Sequence, residues 1–148
     1  MNRLSQRTLA SVAAVGLLLA PLVAAAQTPA APRKLISPVR GEATVEITKP
    51  DTKVGAKEVV TTILLKNTSS APIAGLKVEE NWYDRGGQPI GGDVYRSRRP
   101  IMPGQVIEIV LTSPRRTGMG GNQYNFTHAN GTIAKPTIVA KLEVTPTT

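Results

Sequence analysis

The chain has 148 residues, with 18 Lys and Arg against 10 Asp and Glu, one His and no Cys. That length suits a single domain of ordinary size with its own core. The missing Cys excludes a disulfide framework and thiol chemistry and, with a single His, argues against soft metal sites; the length also excludes two-domain enzymes and multi-span membrane proteins.

Residues 1–26 have the three parts of an export signal. Arg3 and Arg7 make a positive start, Leu9 to Val23 form an apolar run interrupted by Pro21, and Ala24, Ala25 and Ala26 supply the small residues that a signal peptidase reads. The run falls short of the about 20 apolar residues that a spanning helix needs. Cleavage is therefore predicted before Gln27, with no transmembrane helix left afterwards. No Cys follows for lipid attachment, and Arg3 and Arg7 are not adjacent, so the general export route is predicted, to a bacterial periplasm or the extracellular space. Removing the signal leaves 122 residues with 16 Lys and Arg against 10 Asp and Glu, a net charge of +6. Three N-x-[ST] triplets begin at Asn67, Asn125 and Asn130; in a bacterial setting they read as Asn-rich turns and not as glycan acceptors.

Residues 27–40 hold Pro29, Pro32 and Pro38 and predict an extended tether. From Gly41 to residue 148 the pattern is of short apolar runs parted by Gly, Pro, Asn and Asp. No window there has a helical apolar face. This is the spacing of an all-β sandwich, here with about seven strands.

The strands are predicted in chain order from alternation and turn residues. Glu42 to Thr48 places Ala43, Val45 and Ile47 on one face, and Pro50-Asp51 ends it. Glu58 to Lys66 is apolar on both faces and reads as central. Leu76 to Tyr83 carries Leu76, Val78 and Trp82 on one face, and Asp84-Arg85-Gly86-Gly87 turns the chain. Ile90 to Arg98 contains Gly91-Gly92 and reads as an edge strand with a bulge. Gln105 to Thr112 follows the Pro103-Gly104 turn. Pro114 to Asn122 reads as a loop, flexible at Gly118-Met119-Gly120-Gly121. Gln123 to Ala129 comes next, Asn130-Gly131 is a hairpin turn, and Thr137 to Val144 closes the domain with Ile138, Ala140, Leu142 and Val144 inward.

Between about Val59 and Thr112 this pattern resembles the bacterial secreted immunoglobulin-like domains of the FxLYD type. Tyr83 and Asp84 match the motif, Trp82 replaces an aliphatic residue, and Glu80 stands where an aromatic one is expected. The resemblance implies a single immunoglobulin- or fibronectin III-like sandwich and no catalytic residues.

The side chains give one candidate site. Arg85, Arg96, Arg98, Arg99, Arg115 and Arg116 crowd one stretch of chain, and a meander would gather them at one end of a sheet. Arginine suits bidentate contact with carboxylate or phosphate. The patch would take an anionic glycan, a lipid headgroup or an acidic protein, or would simply be a charged edge that discourages strand pairing. Few aromatic residues are present for base stacking, so nucleic acid is not an expected partner. Trp82 is predicted as a plug between the sheets, and Tyr124 as a corner tyrosine bonded to backbone. Glu80 is a misfit on an apolar face, needing solvent or a partner such as Arg96 or Arg98. His128 lacks any nucleophile context and reads as structural. No enzyme activity, cofactor or metal is expected. The expected role is a non-catalytic binding or scaffolding one at the cell envelope, with an envelope protein or an anionic polymer as partner.

Overall fold

The computed structural model describes residues 36–145; the predicted signal segment, most of the tether and residues 146–148 lie outside the described residues. The described part is all β. In chain order its strands are β1 (Gly41–Ala43), β2 (Val45–Thr48), β3 (Asp51–Val54), β4 (Glu58–Asn67), β5 (Lys77–Asp84), β6 (Pro89–Arg96), β7 (Val106–Pro114), β8 (Met119–His128), β9 (Gly131–Ile133) and β10 (Thr137–Val139).

They form two sheets. One has the order β1-β9-β8-β5-β6; in the other β4 is central, flanked by β7 on one side and by β2 and β3 on the other, with β10 outside β2. The β9-β8-β5-β6 order, with β4 and β7 opposite, is that of an immunoglobulin-like sandwich whose fourth strand stays with the third. Side-chain alternation sets this arrangement. Along β4 every second residue from Val59 to Asn67 is buried, and on β5 the buried residues are Val78, Glu80 and Trp82.

The ten segments are seven courses of chain. Segments β2 and β3 pair with the same strand, Ile47 opposite Leu65 and Asp51 opposite Thr62, so only a one-residue slip separates them. The expected end at Pro50-Asp51 is instead a bulge, where a proline is tolerated because no ladder bond is asked of it. Thr48 Oγ1 covers the gap by accepting the Leu64 N–H at 3.1 Å. The last course is also divided. The predicted strand from Thr137 to Val144 is replaced by β9 in one sheet and β10 in the other, and Ile138 and Val144, expected inward, are 66% and 50% exposed.

These first and last courses run side by side. Gly41–Ala43 pair in parallel with Gly131–Ile133, and Glu46–Thr48 pair in parallel with Thr137–Val139. Both pass from one sheet to the other, so one flank of the sandwich is closed by hydrogen bonds. Gly131 is required in this crossing, since a Cβ there would collide with the Gly41 carbonyl. The opposite flank, between β6 and β7, has no strand pairing. There Asp93 Oδ2 accepts the Thr112 N–H at 2.7 Å while Oδ1 accepts the Val94 N–H at 2.8 Å.

The predicted edge strand at Ile90 to Arg98 is β6, an edge as expected. Its register slips at Ile90, opposite the Trp82–Tyr83 step, so the bulge sits just before the Gly91-Gly92 pair. The hairpin between β8 and β9 turns through Ala129-Asn130, one residue earlier than predicted, with His128 opposite Gly131. The predicted loop from Pro114 to Asn122 is shorter than expected. Met119 pairs with Asp84 and Gly121 with Tyr83, leaving Gly120 as the extra residue of a bulge. Glycines carry no side-chain pattern, so this start of β8 is set by pairing with β5.

The apolar core gathers Ile63, Leu65, Leu76, Val78, Ile109, Leu111 and Phe126, with Ile73 and Ile101 joined by a bridge beneath them. It fills the half of the sandwich near Lys77. Toward Asp84 the filling changes.

Candidate functional site

Above the apolar core lies a polar layer built on Glu80. The side chain is 1% exposed. Its Oε1 accepts from Thr61 Oγ1 at 2.7 Å, Asn122 Nδ2 at 3.0 Å and the Tyr124 hydroxyl at 3.2 Å, while Oε2 accepts from Ser113 Oγ at 2.8 Å. Asn122 Nδ2 also donates to the Tyr124 oxygen at 2.6 Å. Thr61 and Ser113 stand on one sheet, Glu80, Asn122 and Tyr124 on the other. The carboxyl group is thus held by neutral donors from both sheets, and neither Arg96 nor Arg98 is its partner. A buried carboxylate without such bonds would cost several kcal/mol, which is why its inward neighbours are hydroxyls and an amide. Burial first, and the nearby Glu80 charge second, push the Tyr124 hydroxyl above the ordinary tyrosine range. Tyr124 therefore bonds the side chain of its cross-strand neighbour Glu80, where a corner tyrosine would have bonded backbone.

Trp82 is the next inward residue of β5. It is 9% exposed, and with Val59 it lies on the far side of the polar layer from the apolar cluster. It is a plug, as predicted, but at the end of the sandwich and not in the middle. Its Nε1–H has no acceptor among the described residues. Trp82 and Val59 form the inner wall of a cleft of about 670 Å³, whose rim is Val54, Arg115, Arg116 and Met119.

The rim is braced by backbone bonds. Arg115 donates two bonds to the β3–β4 turn: its N–H to the Lys57 carbonyl at 2.9 Å and its Nη1 to the Gly55 carbonyl at 2.9 Å. The turn that follows closes through Met119 N–H to the Arg116 carbonyl at 3.4 Å, with Gly118 at a φ of +89° that suits glycine. Nε of Arg116 lies 3.9 Å from the point where a Cβ on Gly91 would stand. Gly91 is the cross-strand partner of Trp82 and shares its face, so Arg116 reaches over the inner side of β6 next to the indole.

A second cleft, of about 950 Å³, lies in the β6–β7 connection. Arg96, Arg98 and Arg99 line it together with Tyr95, Met102 and Ile107.

The six arginines do not make one patch. Arg96 pairs with Lys77 at the start of β5, whereas Met119, beside Arg116, pairs with Asp84 at its end. Seven residue steps of about 3.3 Å, roughly 23 Å, separate these two levels. The meander expectation fails because β7 runs antiparallel, so that it begins beside the end of β6 and carries Arg115 to the opposite end. Arg85, in the β5–β6 turn, belongs with Arg115 and Arg116; its backbone nitrogen lies 3.6 Å from the position of a Gly120 Cβ. All six arginine side chains are exposed. Every ion pair among the described residues uses a lysine: Lys53–Asp51, Lys66–Glu46, Lys77–Glu79 and Lys141–Glu143. None of the arginines there has a carboxylate partner.

The remaining candidates resolve into structure. His128 is 6% exposed; Nε2 donates to the Gly41 carbonyl at 2.8 Å and Nδ1 accepts the Asn130 N–H at 3.3 Å, which fixes the Nε2–H tautomer. The Asn67 amide nitrogen is buried and committed to the Ala71 and Ile101 carbonyls at 3.0 and 2.8 Å. Among the described residues no group of three His, Cys, Asp or Glu could hold a metal ion. Sequence reasoning missed Thr61, Ser113 and Asn122. Thr61 did carry a signal, as a hydroxyl at inward parity between Val59 and Ile63, and Ser113 carried a weaker one, continuing the inward parity of Ile109 and Leu111. Asn122 carried none, because its strand start is made of glycines.

No family model and no curated protein matches the chain. It is similar to a solved structure of IrmA from Escherichia coli, with a TM-score of 0.39 at 9% identity over 72% of this chain and 99% of that one.

Proposed function

We propose that this chain is an exported, non-catalytic immunoglobulin-like domain that binds an anionic envelope component through its arginines. One observation carries the reading: the six arginines are exposed and line or flank clefts at two ends of the sandwich, while among the described residues every carboxylate in an ion pair is taken by a lysine. Arg115 spends Nη1 on the Gly55 carbonyl, and with no carboxylate beside them the guanidinium groups keep their other donors for carboxylate or phosphate oxygens. The buried Glu80 does not compete for them, because neutral donors fill its lone pairs. Export enters from the sequence of residues 1–26, and mass spectrometry of the exported protein should find its N-terminus at Gln27, within about two residues.

The test is retention on a sulfated polysaccharide matrix at low salt. Two variants replace Arg96, Arg98 and Arg99, or Arg85, Arg115 and Arg116, with Ser. A control replaces Lys49, Lys57 and Lys135, which are also exposed. Exposed charges contribute little to stability, so all three should fold. At least one arginine variant should elute earlier than the lysine control, with retention fading as the Debye length falls from about 30 Å to about 10 Å between 0.01 and 0.1 M salt. Equal loss in all three would mean that net charge alone acts, and the reading would be dropped.

A further inference from the structure

The two arginine clefts differ in build, and the difference assigns one of them a ligand class. The cleft at the Asp84 end has an apolar inner wall of Val59 and Trp82, extended outward by Met119 and by Val54, which is 62% exposed. A valine left that open on a strand rim is apolar surface with no partner of its own. Against it stand two guanidinium groups. Arg115 is held in place through Gly55, and a donor already positioned loses less freedom when it binds. Arg116 reaches across Gly91 beside the indole. A volume of about 670 Å³ lies within the range of small-molecule sites, roughly 300–1,000 Å³.

Resting on the reading that the arginines meet anions, we propose that this cleft binds a small organic oxyanion: a carboxylate or phosphate ester with an apolar or aromatic body. The body lies against Val59, Trp82 and Met119, and the oxyanion meets Arg115 and Arg116. The groove at Arg96–Arg99 lacks such an indole wall and is outside this site.

Trp82 is the only tryptophan of the chain and so reports on its own cleft. Its emission is followed while the full chain is titrated with phenyl phosphate and with phenylacetate, which tell phosphate from carboxylate. Benzyl alcohol serves as the uncharged body and inorganic phosphate as the charge without a body. A saturable change is expected with at least one of the two aromatic anions, and at least about tenfold weaker binding for each control. Arg115→Ser and Arg116→Ser should each weaken the aromatic anion by about tenfold, since a charge-assisted bond is lost. Arg98→Ser, at the other end, should leave it unchanged. No saturable change, equal binding of benzyl alcohol, or equal loss with Arg98→Ser would overturn the proposal. Failure here with retention on the polysaccharide intact would remove the small-molecule site alone; loss of retention advantage in every arginine variant would remove the wider reading.

Discussion

Glu80 and Ser113 stand on opposite sheets, and the 2.8 Å bond between them ties the sandwich together through its interior. The same carboxyl group gathers Thr61, Asn122 and Tyr124, so one side chain satisfies four donors. Glu80→Ala should therefore destabilise the domain by more than about 2 kcal/mol in urea unfolding, because buried donors left unpaired bear their full desolvation cost. Glu80→Gln should lose less, since an amide can still accept at Oε1 and donate to the Ser113 oxygen. Equal losses for the two would show that charge, and not bonding capacity, is what the layer requires.

Trp82→Ala should lower stability by about 3–5 kcal/mol, the range for removing a buried aromatic ring. His128, read from the sequence as structural, is buried and makes two bonds, to Gly41 and Asn130, so His128→Ala should cost about 1–2 kcal/mol. Both are read from denaturant midpoints at constant slope.

Tyr124 predicts an alkaline weakness. Its hydroxyl is raised above the ordinary value of 10.0 by burial and then by Glu80. The folded state therefore keeps its proton where the unfolded chain has lost it. That contribution is whole below pH about 10 and disappears as pH climbs through the higher folded value. Tyr124→Phe should flatten the decline in stability between pH about 9 and pH about 11. Glu79 works in the other direction: bonds from Lys77 and then Asn125 hold it below its ordinary 4.5, so its share is present at neutral pH and lost in acid.

Asp93 predicts behaviour at high concentration. Its carboxyl group occupies the N–H of Val94 on one sheet edge and of Thr112 on the other. Val94 and Val110, both partly open beside them, add apolar surface to that flank. Asp93→Ala should expose two unpaired donors and raise the mass seen by light scattering relative to the parent at equal concentration, since free edges recruit strands. An unchanged mass would mean that other features of β6 and β7 guard the flank.

The sequence was informative where alternation and burial coincide. Strands β5 and β7 follow their apolar parity, β4 is central as its two apolar faces suggested, and Trp82 was placed inward correctly from Leu76 and Val78. Legibility failed where the determinant was not a side chain. The start of β8 at Met119-Gly120-Gly121 is fixed by pairing with Tyr83 and Asp84. The course through Pro50 continues because a slip of one residue absorbs the proline. The candidate site was half legible: the arginines and Trp82 were named, but their grouping depended on strand direction. Glu80 was seen as anomalous, yet its hydroxyl partners are far apart in sequence and meet only when the two sheets stack.

The closed flank also bears on how the domain would carry load. Its first and last courses, Gly41 to Thr48 and Gly131 to Val139, lie parallel, so the two ends of the paired region point in opposite directions along one axis. A force drawing the chain's ends apart would act along the strands and strain those hydrogen bonds together. Bonds pulled in this shearing mode break as a group, whereas a hairpin pulled from its open end unzips one bond at a time. A domain fastened by its tether on one side and by a later segment on the other would thus resist extension first at this parallel pair.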